Sequence, residues 1–236
     1  ARKYEPVRFG FVGNANLETQ VCVVRRDALV KKFEDIFSTE LIVGGSGPGS
    51  ALLLYPLFLK NIFAAKVKLV AGYPGSREIS LAILKGEVQG TRGLNLSTAK
   101  AQFQDLLNHP ELHVLVQEDV APHAELRKAG VPLAGNFLKS EDDRRVAEVF
   151  YVQSQSIRVC FARPGVPAER LEALRKAFMA TIADKDMQAE AAKASLELDA
   201  TPGDKEQALV ARIYDTPPAI VERIRNMPRP DSESSS

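Results

Sequence analysis

The sequence predicts an α/β fold, and three observations carry that prediction. Between residues 19 and 117, strand-like runs rich in Val, Ile and Leu alternate with stretches of helical periodicity, the pattern of a β-α-β-α lobe. Two of these runs, ending at Val43 and Val70, pass directly into glycine-bearing turns that open helices. The 236 residues suffice for one large domain or two lobes of ordinary size, and 45% hydrophobic with 26% charged residues is an ordinary globular balance.

A formal net charge of +1 gives no global attraction to nucleic acid or anionic membrane, so nonspecific nucleic-acid binding is disfavoured. No run approaches the roughly 20 apolar residues of a membrane span, and residues 1–6 lack the apolar core and cleavage pattern of a signal peptide. Cys22 and Cys160 each sit in an apolar strand-like run and are expected as buried free thiols rather than as a disulfide.

Taken in order, residues 7–12 lead through Gly13-Asn14-Ala15-Asn16 into the β-rich residues 19–24. Such a long passage broken by a Gly-Asn turn reads as a hinge between lobes. Residues 27–37 place Leu29, Val30, Phe33 and Ile36 at helical spacing, so a short amphipathic helix is expected before the strand at 40–43. In the loop at 44–50, Gly44 and Gly49 have the spacing of a P-loop's two glycines. Ser50 and Ala51 stand where Lys and Ser/Thr would follow, which disfavours triphosphate hydrolysis. A dinucleotide fingerprint also fails, because the third glycine comes one residue early and no acidic residue is placed by a second βαβ strand. Two readings remain: a small anion held by backbone amides and the Ser46 and Ser50 hydroxyls, or a turn whose glycines only let strand and helix pack closely. An apolar helix is expected over residues 51–63.

The second unit repeats the layout with a strand ending at Val70, a turn over residues 72–75, and a helix that stops at Gly86. Ser76 is read as its N-cap, Glu78 favours the positive end of the helix dipole, and Ile79, Ala82 and Ile83 face inward. Glu87 is read as a solvated carboxylate with a structural or hinge role, since no His or second carboxylate is placed beside it for acid catalysis. Residues 91–97 turn polar and glycine-bearing, residues 99–107 read as a helix, and a strand at 112–117 closes the lobe, with a parallel sheet expected. His109, His113 and His123 do not fall two to a helix turn and are expected to be solvent-exposed rather than metal-bound.

Residues 122–136 are a Pro/Gly-punctuated connection, residues 140–150 a charged helix start, and residues 156–162 a further strand. Pro167 then opens a helix with Leu171, Leu174, Phe178, Met179 and Ile182 as its buried stripe and Glu172 paired with Lys176 on its outer face. Helices are expected at 186–195, 205–214 and 217–225, before a Ser-rich disordered tail at 229–236.

The order of several segments resembles the substrate-binding proteins of tripartite tricarboxylate transporters, the Bug-type periplasmic receptors. They are Tyr4-Glu5-Pro6 before the hinge, the 44–50 loop, Gly72-Tyr73-Pro74-Gly75-Ser76 with Leu81-Ala82 and Gly86-Glu87-Val88 after it, and Arg163-Pro164-Gly165-Val166-Pro167 with Leu171 and Leu174. Together they span nearly the whole chain. The resemblance implies a two-lobed periplasmic-binding-protein-like (type II) fold that grips a small organic carboxylate between its lobes. Such a receptor delivers the solute to membrane permease subunits from the periplasm, with no catalysis, cofactor or metal. Residues 21–122 would be the second lobe, and residues 1–20 with 123–228 the first lobe and hinge. The ligand-facing positions would be Ser46, Gly47, Gly49, Ser50, Tyr73, Gly75 and Ser76, with Ser97 as a further candidate. Family members carry a further segment before the position of Tyr4, so the resemblance implies an incomplete first lobe and self-association through it. Gln89 stands where many relatives carry an acidic residue, a difference that bears on ligand choice or on a surface contact.

A rival reading is an enzyme that holds a phosphorylated or carboxylated substrate at the paired glycine loops. It requires a nucleophile or base nearby, and those segments offer only Ser46, Ser50 and Ser76. A third reading is a non-transport interaction module derived from a receptor.

Overall fold

The computed structural model describes residues 5–156, 158–194, 196 and 198–226; Tyr4 and the tail expected at 229–236 lie outside them. In chain order the elements are β1 (Gly10–Asn14), β2 (Gln20–Arg25), β3 (Leu41–Gly44), α1 (Ala51–Ile62), β4 (Val67–Val70), α2 (Ser76–Lys85), β5 (Gly90–Asn95) and α3 (Leu96–Gln102). There follow β6 (Leu112–Glu118), α4 (Ala124–Lys128), α5 (Glu141–Tyr151), β7 (Val159–Ala162), α6 (Ala168–Ala183), α7 (Lys185–Lys193), β8 (Thr201–Pro202), α8 (Gly203–Tyr214) and α9 (Pro218–Arg225). Contacts divide the chain into two compact units, one from Thr19–Tyr151 with the chain after Pro218, the other from the residues before Thr19 with Val152–Pro218. This division differs from the expected second boundary at Pro122 and from the expected place of the last helix in the first lobe. The larger unit holds these parts because Val146, Ala147, Phe150 and Tyr151 of α5, with Ile220 and Ile224 of α9, pack into its core.

The larger unit is built on a five-stranded sheet in the order β4-β3-β5-β2-β6. β3 runs parallel to β4 and β5, whereas β2 is antiparallel to both β5 and β6. The expected parallel sheet is thus corrected to a mixed one. β2 starts with Gln20 opposite Asn95, the last residue of β5, so it enters the sheet at the edge where β5 leaves it. Alternate residues of β2 feed two cores: Cys22 and Val24 join Val43, Tyr55, Phe58 and Phe150, while Val21 and Val23 join Ile79, Ile83 and Leu94.

The central strand β5 occupies part of the stretch read as a polar, glycine-bearing segment. Its polar groups are satisfied inside the sheet. Thr91 Oγ1 donates to the Gly44 carbonyl at 3.2 Å, Arg92 forms an ion pair with Glu118, and the other Glu118 oxygen accepts the Gly93 N–H at 3.0 Å. Gly93 has φ +66°, and a Cβ there would lie 2.6 Å from the Ala51 carbonyl oxygen and 2.8 Å from the Tyr55 ring, so glycine is required for α1 to lie on β5. The helix expected over 27–37 is replaced by a 3-10 turn at Phe33–Phe37. The Asp35 carboxylate accepts the backbone N–H groups of Lys31 and Lys32 at 2.9 and 3.1 Å, which stabilises a tight turn instead and leaves Leu29 76% exposed. His109, His113 and His123 are half-buried, not solvent-exposed as expected.

The smaller unit carries an antiparallel sheet in the order β7-β1-β8. Gly10 and Gly13 admit α6, since a Cβ at either would lie 2.9 Å from Leu171 or 2.4 Å from Phe178. The expected buried stripe of α6 is only partly buried. Leu171, Phe178, Met179 and Ile182 are half-buried and Leu174 is 46% exposed, because the helix covers a narrow sheet along one row of contacts. Its Glu172 lies 4.0 Å from Arg175. Cys160 is exposed on β7, contrary to expectation, and its neighbour Phe161 is 58% exposed. Both thiols are free.

Candidate functional site

The two glycine loops leave from adjacent parallel strands at one edge of the larger sheet. β3 and β4 pair in register from Leu41 opposite Val67 to Gly44 opposite Val70, and the loops that follow are tied together. Gly45 N–H donates to the Val70 carbonyl at 2.9 Å, and Tyr73 N–H donates to the Gly45 carbonyl at 3.2 Å. β5 runs parallel to β3, so Ser97, in the first turn of α3, follows β5 at the same edge. The structure therefore brings both loops and Ser97 to a common edge.

Each loop opens a helix. α1 has 12 residues and α2 has 10, and neither the Ser50 nor the Gly75 N-cap makes a side-chain cap bond among the described residues. The N–H groups of a first helical turn have no intrahelical acceptor and carry the positive end of the helix dipole. α1 has no acidic residue in its first turn, whereas α2 carries Glu78. The buried Ser46 donates its hydroxyl to Ser50 Oγ at 2.7 Å, fixing the Ser50 side chain at the start of α1. Gly49 and Gly72 hold φ values of +83° and +103°, conformations that side-chain-bearing residues rarely adopt. At Gly47, Gly49 and Gly72, no described atom lies within 4 Å of the place a Cβ would take, so bare backbone faces open space. Gly75 has φ −169°, ordinary extended backbone, and its Cβ would meet only the Glu78 carboxylate at 3.4 Å.

Ser76 is not the N-cap expected of it. Gly75 takes that place, and the Ser76 hydroxyl accepts from Gln102 Nε2 at 2.9 Å while Gln102 Oε1 accepts from Ser80, tying α2 to α3. Tyr73 is half-buried against the core that contains Ile79. Gln89 lies away from the loops, immediately before β5 and so at the opposite edge. It exchanges two bonds of 2.9 Å with Ile42: its side chain accepts the Ile42 N–H, and its own N–H donates to the Ile42 carbonyl. Its role there is to hold the start of β5 against β3.

The sequence reading missed the amide pair at this edge. Gln20 Nε2 donates to Asn95 Oδ1 at 2.7 Å. Gln20 is 2% exposed, and its Oε1 finds no hydrogen-bond partner among the described residues. Only the antiparallel course of β2 places Gln20 opposite Asn95, where β5 ends, and no local pattern announces that course. Among the described residues no group of three or more His, Cys, Asp or Glu could hold a metal ion, and no helix is long and apolar enough to cross a membrane.

No family model and no curated protein matches the sequence. Solved structures are similar. A TctC solute-binding protein from Polaromonas aligns with a TM-score of 0.67 at 16% identity, over 94% of this chain and 72% of that chain. A protein from R. palustris with adipate gives 0.59 at 17% identity, over 95% and 72%. MatC from Rhodopseudomonas palustris with bound malate gives 0.53 at 17% identity, over 94% and 70%. The chain therefore has the periplasmic-binding-protein-like α/β fold of these proteins.

Proposed function

We propose that this protein is a solute-binding receptor that captures a small organic carboxylate at the 44–50 and 72–76 loops and delivers it to the permease subunits of a membrane transporter from the periplasm. One observation carries the reading: two helix N-termini without side-chain caps open side by side from adjacent parallel strands, with open glycine backbone around them. A carboxylate accepts from the N–H groups of these first turns and supplies the negative charge that the dipoles favour. Ser50, Gly47, Gly49, Tyr73, Gly75 and Ser97 would line the seat, with Ser46 acting through Ser50 and Ser76 through its backbone. The fold it shares with the TctC protein, and the adipate and malate held by the R. palustris proteins, support this reading. Catalysis is the weaker alternative, because the Ser46 and Ser76 hydroxyls are engaged with Ser50 and Gln102 and the two loops contain no histidine.

Calorimetric titration with mono-, di- and tricarboxylates tests the seat, with saturable binding of at least one class as the expected outcome. Gly75→Val sharpens it. The extended backbone at Gly75 accepts a side chain, so the variant folds, while its methyl groups crowd the α2 N-terminus. We expect at least about a tenfold loss of affinity, equivalent to ~1.4 kcal/mol. Absence of binding across the panel overturns the receptor reading, and unchanged affinity in folded Gly75→Val makes the second loop purely structural.

A further inference from the structure

We propose that the Gln20–Asn95 amide pair extends the seat at the start of α1 and makes it selective for hydroxycarboxylates. The inference rests on the carboxylate-receptor reading above and adds the class of ligand. Gly93 of β5 touches α1 at Ala51 and Tyr55. Asn95 lies two residues further along the same strand and so on the same face, at the level of the α1 N-terminus. Gln20 faces it across the antiparallel pair and donates to it, which fixes the Gln20 amide with its oxygen directed elsewhere.

That oxygen is the informative atom. A buried amide acceptor without a partner costs free energy, and Gln20 Oε1 finds none among the described residues although the side chain is almost wholly enclosed. A carboxylate cannot satisfy it, because an ionised carboxylate offers only acceptors. A hydroxyl on the carbon beside the carboxylate donates one hydrogen bond, and it does so while its carboxylate occupies the α1 N–H groups. A site built to accept from a substrate hydroxyl rejects the analogue that lacks it, because the acceptor is then left unpaired.

The test pairs malate with succinate and lactate with propionate, titrated calorimetrically into the whole chain and into Gln20→Met. The wild-type protein is expected to bind the hydroxy acid of a pair at least about tenfold more tightly than its deoxy partner. Gln20→Met keeps the length of the side chain without the amide and is expected to bring that ratio close to one while deoxy-acid binding persists. Should Gln20→Met fail to fold, Gln20→Asn withdraws the acceptor by one methylene, and the same loss of preference is expected. Equal affinities within both pairs in the wild type overturn the proposal and leave the receptor reading standing. An unchanged preference in a folded Gln20 variant removes the assignment to Gln20. Failure to bind any carboxylate refutes the receptor reading itself, and this proposal with it.

Discussion

The two thiols of this chain sit in opposite environments. Cys22 is fully buried in β2, and loss of hydration pushes its pKa up to about 12, so it stays a neutral thiol at physiological pH. Cys160 is exposed on β7. A thiol reagent at pH 8 is therefore expected to modify one cysteine quickly in the native protein and the second only after denaturation. Two fast equivalents, or none, would contradict these environments. The sequence runs around the two residues look alike, Val-Cys-Val-Val against Val-Cys-Phe-Ala, and alternation within one strand does not distinguish them. What separates them is position in a sheet: β2 has strands on both sides, whereas β7 ends its sheet. The same limit hid Gln20, whose meaning depends on which strand it faces.

At the level of elements, the glycine loops were legible because strand, turn and helix are contiguous in sequence and each unit carries its own signals. β5 was not, because its central place is held by partners distant in the chain. Arg92 and Glu118 are both fully buried, and Arg92 also lies 5.6 Å over the Phe33 ring. An exposed strand with the sequence Gly-Thr-Arg-Gly-Leu-Asn would have no reason to form, whereas here Glu118 supplies both a countercharge and an acceptor for Gly93 N–H. Glu118→Leu strands a buried guanidinium and is expected to cost about 3–5 kcal/mol in urea unfolding. Arg92→Met combined with Glu118→Leu removes both charges and is expected to cost less than the single change. A loss below about 1 kcal/mol for Glu118→Leu would show that the pair does not hold β5 in place.

At the level of the whole molecule, the two units are unequally built. The larger unit encloses two apolar clusters about a five-stranded sheet, with side chains such as Phe33, Phe58, Phe103, Ile79 and Ile83 fully buried. The smaller unit has a three-stranded sheet whose α6 buries no residue completely, and Phe161 and Leu174 remain exposed. The outer edge of β7 has no strand partner among the described residues, and Val159-Cys160-Phe161-Ala162 carries no charge or proline to discourage pairing. The resemblance in sequence raised self-association as an expectation, and this edge is where it would act. Arg158 and Arg163 bracket the strand, so two copies pairing antiparallel would bring like charges together, and added salt should strengthen the association by screening them. Hydrogen exchange follows the free energy of local opening, which is lowest where buried apolar contacts are few. Amides of β1 and β7 are therefore expected to exchange faster than those of β3 and β5, and to slow as protein concentration rises and light scattering reports a growing mass. Uniform protection of both sheets in a strictly monomeric protein, at low and at high salt, would mean that the narrow sheet is sufficient on its own and that the open edge recruits nothing.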